Sequence, residues 1–168
     1  MNIGDYRSEE RTFQTITQVA GRAGREKESG RVFVQTYNPD NYAILCSKKQ
    51  DYDEFYRGEI ELRKNLNYPP FCDIILVRIH SEDITKVKNV SEKIYKNLLK
   101  QKNENLMIYK PVPSPIDRIQ NVYRWRIVIK GRLNKRALET INNVVKPFYD
   151  GKNKDVTLIV DGNPNSMI

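Results

Sequence analysis

The chain lacks the phosphate-binding loop that many ATPases use. That loop requires Gly-x-x-x-x-Gly-Lys-[Ser/Thr], and of the eight glycines only Gly151 precedes a lysine. Asn153 follows that lysine, and no glycine stands at the required upstream position. We therefore expect that this chain does not hydrolyse ATP by itself.

Cysteine, histidine and long apolar runs are scarce as well. Cys46 and Cys72 are too few and too far apart for a zinc site, so we assign no metal and expect reduced thiols. His80 falls in a strand-like run without a visible partner, which favours a structural side chain over a catalytic base. No apolar run approaches the roughly 18 residues of a membrane span, and the start of the chain is no signal peptide. These absences predict a soluble, cytoplasmic protein without a membrane partner.

What the chain has in excess is positive charge in its second part. The net charge is +8, from 29 basic and 21 acidic residues. Residues 1–69 contain 11 of each sign, so the whole excess lies in residues 70–168. A field of this sign attracts polyanions, most often nucleic acid, by releasing condensed counterions. From charge alone, a solvated basic surface without a partner is an equal alternative.

The first 69 residues have the pattern of a domain end followed by a connector. Apolar residues fall on one helical face over about Glu9–Arg25, and Ser29-Gly30 marks a turn. Arg31–Tyr37 is predicted to be a strand buried on both faces, which would close an α/β domain. Residues 41–69 are predicted to be a helical connector that ends at Pro69-Pro70, because a double proline forbids helix.

The remaining residues follow a β-α-β-β-α-β order. The predicted elements are Phe71–His80, Asp83–Lys102, Leu106–Tyr109 with the extended Pro111–Pro115, Val122–Lys130, a helix from Asn134 through Phe148, and Val156–Asp161. Asn134 is predicted to cap the second helix. Two successive β-α-β motifs make a ferredoxin-like sandwich of four antiparallel strands, with the helices on one face of the sheet and the other face open. The predicted fold class is therefore α/β, and specifically α+β for residues 70–168.

A pair of arginines near the start of the chain is a candidate phosphate-binding site. Arg22 and Arg25 lie three residues apart on one helical face, so both guanidinium groups can converge on one phosphate. The same stretch contains Gln18, Gly21 and Gly24, which are predicted to support the site. Glycine lets the backbone approach a ligand closely. The alternative is a surface helix whose arginines form salt bridges.

A second candidate site follows from the alternation of aromatic and basic residues at Tyr123–Arg126. The basic side chains of this strand and the following loop are predicted to decorate the open sheet face and contact nucleic acid: Arg124, Arg126, Lys130 and Arg132. The alternative is an aromatic-anchored core strand with a solvated outer face. Lys135 and Arg136, at the start of the next helix, would suit an acidic peptide tail.

Together these stretches resemble the PriA family of primosomal replication-restart helicases. The resemblance covers essentially the whole chain in order. It rests on Asp5–Gln14, Gln18–Arg25, Gly30–Val32, Gln35–Pro39, Phe55-Tyr56 with Glu59, Glu61 and Arg63, Tyr68–Phe71, Pro111–Pro113, Tyr123–Arg126, and Val160-Asp161 with Pro164. Asp161–Pro164 departs from the Asp-x-Asp-Pro ending expected of the family, which puts only the last residues in question.

The resemblance implies a C-terminal fragment of an ATP-dependent 3′→5′ DNA helicase that recognises stalled or abandoned replication forks. Residues 1–40 would end a RecA-like second lobe, and residues 70–168 would form a DNA-binding domain. Arg22 and Arg25 would serve as arginine fingers. The resemblance also implies that ATP and Mg²⁺ are held mainly, and zinc wholly, by parts of the parent enzyme that precede this chain.

The partners implied by the resemblance are forked DNA, single-stranded DNA, single-strand-binding protein and other primosome proteins, in the bacterial cytoplasm at the nucleoid. The parent would be an enzyme, and the fragment alone would not. The alternative is a free-standing RNA-binding or ribosome-associated protein of ferredoxin-like shape. That alternative accounts for the basic part of the chain but leaves Gln18–Arg25 without a role.

Overall fold

The structure is a computed structural model that describes residues 5–23, 31–101, 106–149 and 155–167. The chain divides into two compact units, Met1–Leu66 and Asn67–Ile168. Across the described ranges, no helix is both long enough and apolar enough to cross a membrane.

The described part of the first unit, residues 5–23 and 31–66, contains three helices around a small aromatic core. They are α1 (Ser8–Ala23), α2 (Tyr42–Lys49) and α3 (Tyr52–Asn65). Phe13 of α1 and Phe55 of α3 stack with their ring centroids 4.4 Å apart, and both are buried with Ala43 and Cys46 of α2. The predicted helix near the start of the chain is therefore held in place by the segment that was predicted to be a connector.

A break at Gln50 and Asp51 divides that connector into two helices. Gln50 adopts a left-handed conformation with φ of 55°, which ends α2. Asp51 then caps α3, because its Oδ1 accepts a hydrogen bond from the Glu54 N–H at 2.9 Å.

The predicted strand at Arg31–Tyr37 is wrong. This segment is irregular, and its side chains are exposed, with Phe33 at 89%. A strand needs a neighbour that pairs its backbone N–H and C=O groups. Within the described part of the first unit there is no second strand to supply that pairing.

The second unit is an antiparallel sheet with two helices in the order β-α-β-β-β-α-β, which adds one strand to the predicted β-α-β-β-α-β order: the predicted extended segment at Pro111–Pro115 belongs to a separate strand. Its elements are β1 (Asp73–Ser81), α4 (Ile84–Gln101), β2 (Leu106–Ile108), β3 (Val112–Ile119), β4 (Val122–Gly131), α5 (Lys135–Tyr149) and β5 (Thr157–Gly162). β1 lies between β4 and β5, while β2 and β3 pair with β4 along its other edge. Because β2 and β3 follow one another along β4, the sheet has four strand positions, and the predicted α+β class is confirmed.

One face of the sheet forms the main core with both helices. Ile75, Val77 and Ile79 of β1 pack there with Ile94 of α4 and Ile141 of α5. Complete burial of one such side chain contributes about 1.5–3 kcal/mol. The predicted cap of α5 is confirmed by a hydrogen bond of 2.9 Å from the Ala137 N–H to the Asn134 side chain.

The opposite face of the sheet is largely covered, which corrects the prediction of an open face. Ile74 and Leu76 lie on that face and are 0% exposed. The segment after β5 contacts it, because Arg126 Nη1 donates a hydrogen bond to the Met167 carbonyl oxygen. The start of this segment is fixed at the edge between β1 and β5, where the Ile74 N–H donates to Asn163 Oδ1 at 2.9 Å. A run that is apolar at every position, as in β1, is typical of a strand buried on both faces.

Candidate functional site

The first candidate site lies at the end of α1. Gln18 and Arg22 are exposed and one helical turn apart, so their side chains project from the same face. A Cβ added to Gly21 would meet no atom within 4 Å, so the surface beside it is open. Gly24 and Arg25 lie outside the described residues. The structure therefore places three of the five residues predicted for this site.

A groove between α1 and α3 borders this site. It has a volume of about 460 Å³, and Gln18 is one of its lining residues while Arg22 is not. Tyr52 and Tyr56 of α3 contribute an aromatic wall. The predicted site is thus a polar helix end beside an aromatic groove.

A partly buried network of charged groups, with Glu59 as its buried member, holds α1 against α3. Arg63 Nε donates a hydrogen bond to Glu59 Oε1 at 2.7 Å, and Arg63 Nη2 donates to Glu10 Oε2 at 2.9 Å. Glu59 also accepts a hydrogen bond from the Tyr42 hydroxyl of α2. Burial and this hydrogen bond raise the pKa of Tyr42. The network therefore joins all three helices and sets the orientation of the helix that carries the first candidate site.

The predicted nucleic-acid residues of β4 do not form one surface. Arg124 is half-buried and Arg132 is exposed, whereas Arg126 is 1% and Lys130 is 3% exposed. Arg132 follows the end of β4 at Gly131 and is eight residues further along the chain than Arg124, which is about 26 Å along an extended chain. The predicted outward position of Arg126 and Lys130 is wrong, because the sheet face on which they lie is covered.

Lys130 instead packs among aromatic rings inside the second unit. Its Nζ lies 3.4 Å from the ring centroid of Tyr68 and 5.8 Å from that of Tyr109. Burial lowers the pKa of Lys130. Attraction between the ammonium and the ring faces offsets part of the desolvation. The side chain therefore contributes to the structure of the unit and does not extend toward solvent.

Arg124 has two basic neighbours, Arg78 and His80, that are not among the predicted site residues. The register of β1 and β4 places His80 opposite Arg124 and Arg78 opposite Arg126. Side chains two residues apart share a face, and directly opposed residues have Cβ atoms about 4.5–5.5 Å apart. Arg78, His80 and Arg124 therefore lie together on the sheet face away from the helices, and we name them the basic cluster. Their alternation is visible in the sequence, but their proximity depends on strand register.

Positive charge in the basic cluster is only partly neutralised. Arg78 Nη2 pairs with Asp161 Oδ2 at 3.1 Å, while no carboxylate of the described residues pairs with Arg124. Burial, together with Arg124 and Arg78, lowers the pKa of His80. Among the described residues, His80 Nε2 and Arg78 Nε are buried without a hydrogen-bond partner. The cluster thus combines a surplus of positive charge with two buried nitrogen atoms that have no hydrogen-bond partner among the described residues.

The lowered pKa of His80 predicts that the second unit loses stability in mild acid. In the unfolded chain His80 binds a proton near its ordinary pKa of about 6.5, whereas the folded unit binds it only at lower pH. The free energy of unfolding is therefore highest above about pH 6.5, and it falls as the pH drops from there toward the pKa of the folded state. Thermal unfolding followed by the fluorescence of Trp125, the only tryptophan, measures this between about pH 7.5 and pH 5.5. His80→Gln should flatten the dependence, and an unchanged slope would contradict the assignment to His80.

The other predicted binding residues lie at the start of α5. Arg132, Lys135 and Arg136 are all exposed there. A helix N-terminus with basic side chains favours carboxylates. Binding of an acidic peptide tail by Lys135 and Arg136 stays a prediction.

Comparisons with known proteins link the chain to replication restart. A family model described as primosomal protein N C-terminal domain matches residues 64–165. Replication restart protein PriA of Bacillus subtilis is 36% identical over 100% of this chain and 21% of its own length. The protein of the same name from Synechocystis sp. is 39% identical over 77% of the chain and 16% of its own length. The protein of the same name from Borreliella burgdorferi is 34% identical over 87% of the chain and 22% of its own length. The chain thus spans about a fifth of the length of these relatives.

Proposed function

We propose that this chain, which belongs to the primosomal protein N C-terminal domain family, acts in the restart of DNA replication as the C-terminal part of an ATP-dependent 3′→5′ helicase. Residues 67–167 dock forked or single-stranded DNA, and the end of α1 contributes to ATP hydrolysis by the longer protein. Single-strand-binding protein and other primosome proteins are the proposed protein partners, in the cytoplasm at the nucleoid. The names of the relatives, which are replication restart proteins, support this role.

The basic cluster is the observation that carries the DNA-docking part of the proposal. Three basic side chains lie on one sheet face, and Asp161 is the carboxylate that pairs with one of them. The whole charge surplus of the chain also lies in this unit, within residues 70–168. Guanidinium groups with free donors are well suited to phosphate oxygens. Arg132, at the far end of β4, is proposed as a separate contact with the DNA backbone.

Fluorescence anisotropy tests DNA docking directly. The chain is titrated onto a labelled fork, a blunt duplex, single-stranded DNA and a matched RNA, each across a salt series. We expect tighter binding to DNA than to RNA, with a log–log salt slope of about −0.7 to −0.9 per phosphate contacted. Arg124→Gln should weaken binding to every DNA and reduce that slope by about one contact.

Lys88→Gln is the matched control, because it also removes one positive charge. Lys88 lies on α4, with its Nζ 5.8 Å from the Trp125 ring centroid, and it should affect DNA binding less than Arg124 does. Absence of binding at low salt would contradict the proposal and leave the positive charge as a solvated surface. Tighter binding to RNA would favour a free-standing RNA-binding protein.

The ATP-site part of the proposal concerns the end of α1. The exposed donors of Gln18 and Arg22, with open space at Gly21, fit the oxygen atoms of a phosphate group. Gly24 and Arg25 complete the proposed site. ATP, bound with Mg²⁺ mainly by other parts of the longer protein, supplies the free energy for unwinding. Arg22 would stabilise the negative charge on the transferred phosphoryl group.

Zinc is proposed only for the preceding part of the longer protein. No group of three His, Cys, Asp or Glu side chains in the described ranges could hold a metal ion. The two cysteines of this chain are free, and Cys46 is buried in the core of the first unit.

A further inference from the structure

We propose that the basic cluster takes up a proton when a nucleic-acid phosphate binds to it, so that DNA docking and protonation of His80 strengthen each other. This inference rests on the proposed DNA docking and adds regulation by pH to that site. It concerns Arg78, His80 and Arg124 alone.

The geometry places the imidazole of His80 between two guanidinium groups. Arg124 is its cross-strand partner on β4, and Arg78 lies two residues away on the same face of β1. Asp161 of β5 neutralises one of these arginines through the contact of 3.1 Å with Arg78 Nη2. A proton on His80 therefore adds a second unbalanced positive charge to a half-buried surface, which is unfavourable while no anion is bound.

The remaining groups around His80 do not supply that anion. Its partner on β5 is the uncharged Thr157. A hollow of about 610 Å³ beside His80 is lined by charged side chains of both signs: Glu82, Asp83, Lys86 and Asp155. Lys86 pairs with Asp155 at 2.5 Å, and Asp83 Oδ1 accepts the Thr85 N–H at 2.8 Å at the start of α4. Two of the three carboxylates are thus engaged by Lys86 and by the first turn of α4, and the charged groups that shift the pKa of His80 are Arg124 and Arg78.

A phosphate bound to the basic cluster removes the electrostatic penalty for protonating His80. An opposite charge within about 4–6 Å of a titrating group favours its charged form. His80 Nε2 has no hydrogen-bond partner in the described part of the chain, so protonation there breaks no existing hydrogen bond. Binding linkage is reciprocal, which means that the factor by which DNA strengthens proton binding equals the factor by which the proton strengthens DNA binding.

The test uses NMR of the complete chain, in which one histidine among 168 residues gives one identifiable imidazole signal. The Cε1–Hε1 signal is titrated with acid, first without DNA and then with a saturating short DNA. We expect the midpoint of the His80 titration to move upward when DNA is bound. Anisotropy on the same DNA should show an affinity gain of about tenfold between pH 7.5 and pH 5.5.

Two variants separate this linkage from a general effect of acid. His80→Gln is judged by its pH dependence and not by its affinity at one pH: its affinity for DNA should no longer rise as the pH falls from 7.5 to 5.5. Lys88→Gln should keep the pH dependence of the parent. The intact fold of both variants is checked by Trp125 fluorescence.

The possible failures of the two proposals differ. DNA binding with an unmoved His80 titration, or an equal pH dependence in His80→Gln, would overturn the proton linkage and leave DNA docking intact. Absence of DNA binding by the parent chain at every pH would overturn both proposals.

Discussion

Replacing Arg22 by alanine in the full-length protein is expected to lower ATP turnover by about 10³-fold or more. Arg22 is exposed in the last turn of α1, where its planar guanidinium can donate two parallel hydrogen bonds to one phosphoryl group. Such bonds act on charge that develops during the reaction, so their loss lowers turnover more than it lowers nucleotide binding. Steady-state hydrolysis at saturating DNA measures the effect.

Two further variants make this experiment specific to the guanidinium of Arg22. Arg22→Lys keeps the charge without the planar fork, so its turnover should lie between those of the parent and the alanine variant. Arg57→Ala removes an exposed arginine of α3 that contacts the Asp53 carbonyl oxygen of its own helix at 3.2 Å, and it should leave turnover nearly unchanged. DNA binding should be retained in all three. Unchanged turnover in Arg22→Ala would identify Arg22 as an ordinary surface arginine.

Local patterns were sufficient to predict most elements of the second unit. The predicted helices at Asp83–Lys102 and Asn134–Phe148 correspond to α4 (Ile84–Gln101) and α5 (Lys135–Tyr149). The amphipathic period and the Asn134 cap are properties of residues close in sequence, so they are visible without a fold. The same local reasoning failed at Arg31–Tyr37, because an apolar alternation does not show whether a partner strand exists.

Which residues are accessible could not be predicted in the same way. Alternation in β4 correctly placed Arg124, Arg126 and Lys130 on one face, but it contains no information on what covers that face. The contact that buries Arg126 comes from Met167, 41 residues further along the chain. The basic cluster was missed for a related reason, since only the register of β1 against β4 brings His80 to Arg124.

Replacing Arg63 by methionine is expected to destabilise the first unit by about 3–5 kcal/mol, the second large effect that the structure predicts. The Glu59 side chain is 8% exposed, and Arg63 is its cationic partner at 2.7 Å. Without Arg63 the Glu59 charge stays buried, with the Tyr42 hydroxyl as a neutral donor. Glu10 of α1 loses its contact with α3 at the same time. Arg57→Met, on the exposed side of α3, should change stability by less than about 0.5 kcal/mol.

Amide hydrogen exchange can assign this loss to the correct unit. Exchange in α1 and α3 should become faster in Arg63→Met, while exchange in β1 and the unfolding reported by Trp125 should be unchanged. Equal exchange in the parent and in Arg63→Met would show that the network contributes little to the stability of the three helices.

The double variant Glu59→Met with Arg63→Met separates the buried charge from the lost contacts. Replacing a buried ion pair by apolar side chains of similar size is often neutral, so the double variant should be more stable than Arg63→Met alone. A loss equal to the sum of the two single variants would show that the two charges are not coupled. Because this network orients α1, Arg63→Met should also reduce ATP turnover by the full-length protein, and the double variant should recover part of it. Recovery of stability without recovery of turnover would mean that the position of Arg22 depends on the charges themselves, beyond the packing of α1 on α3.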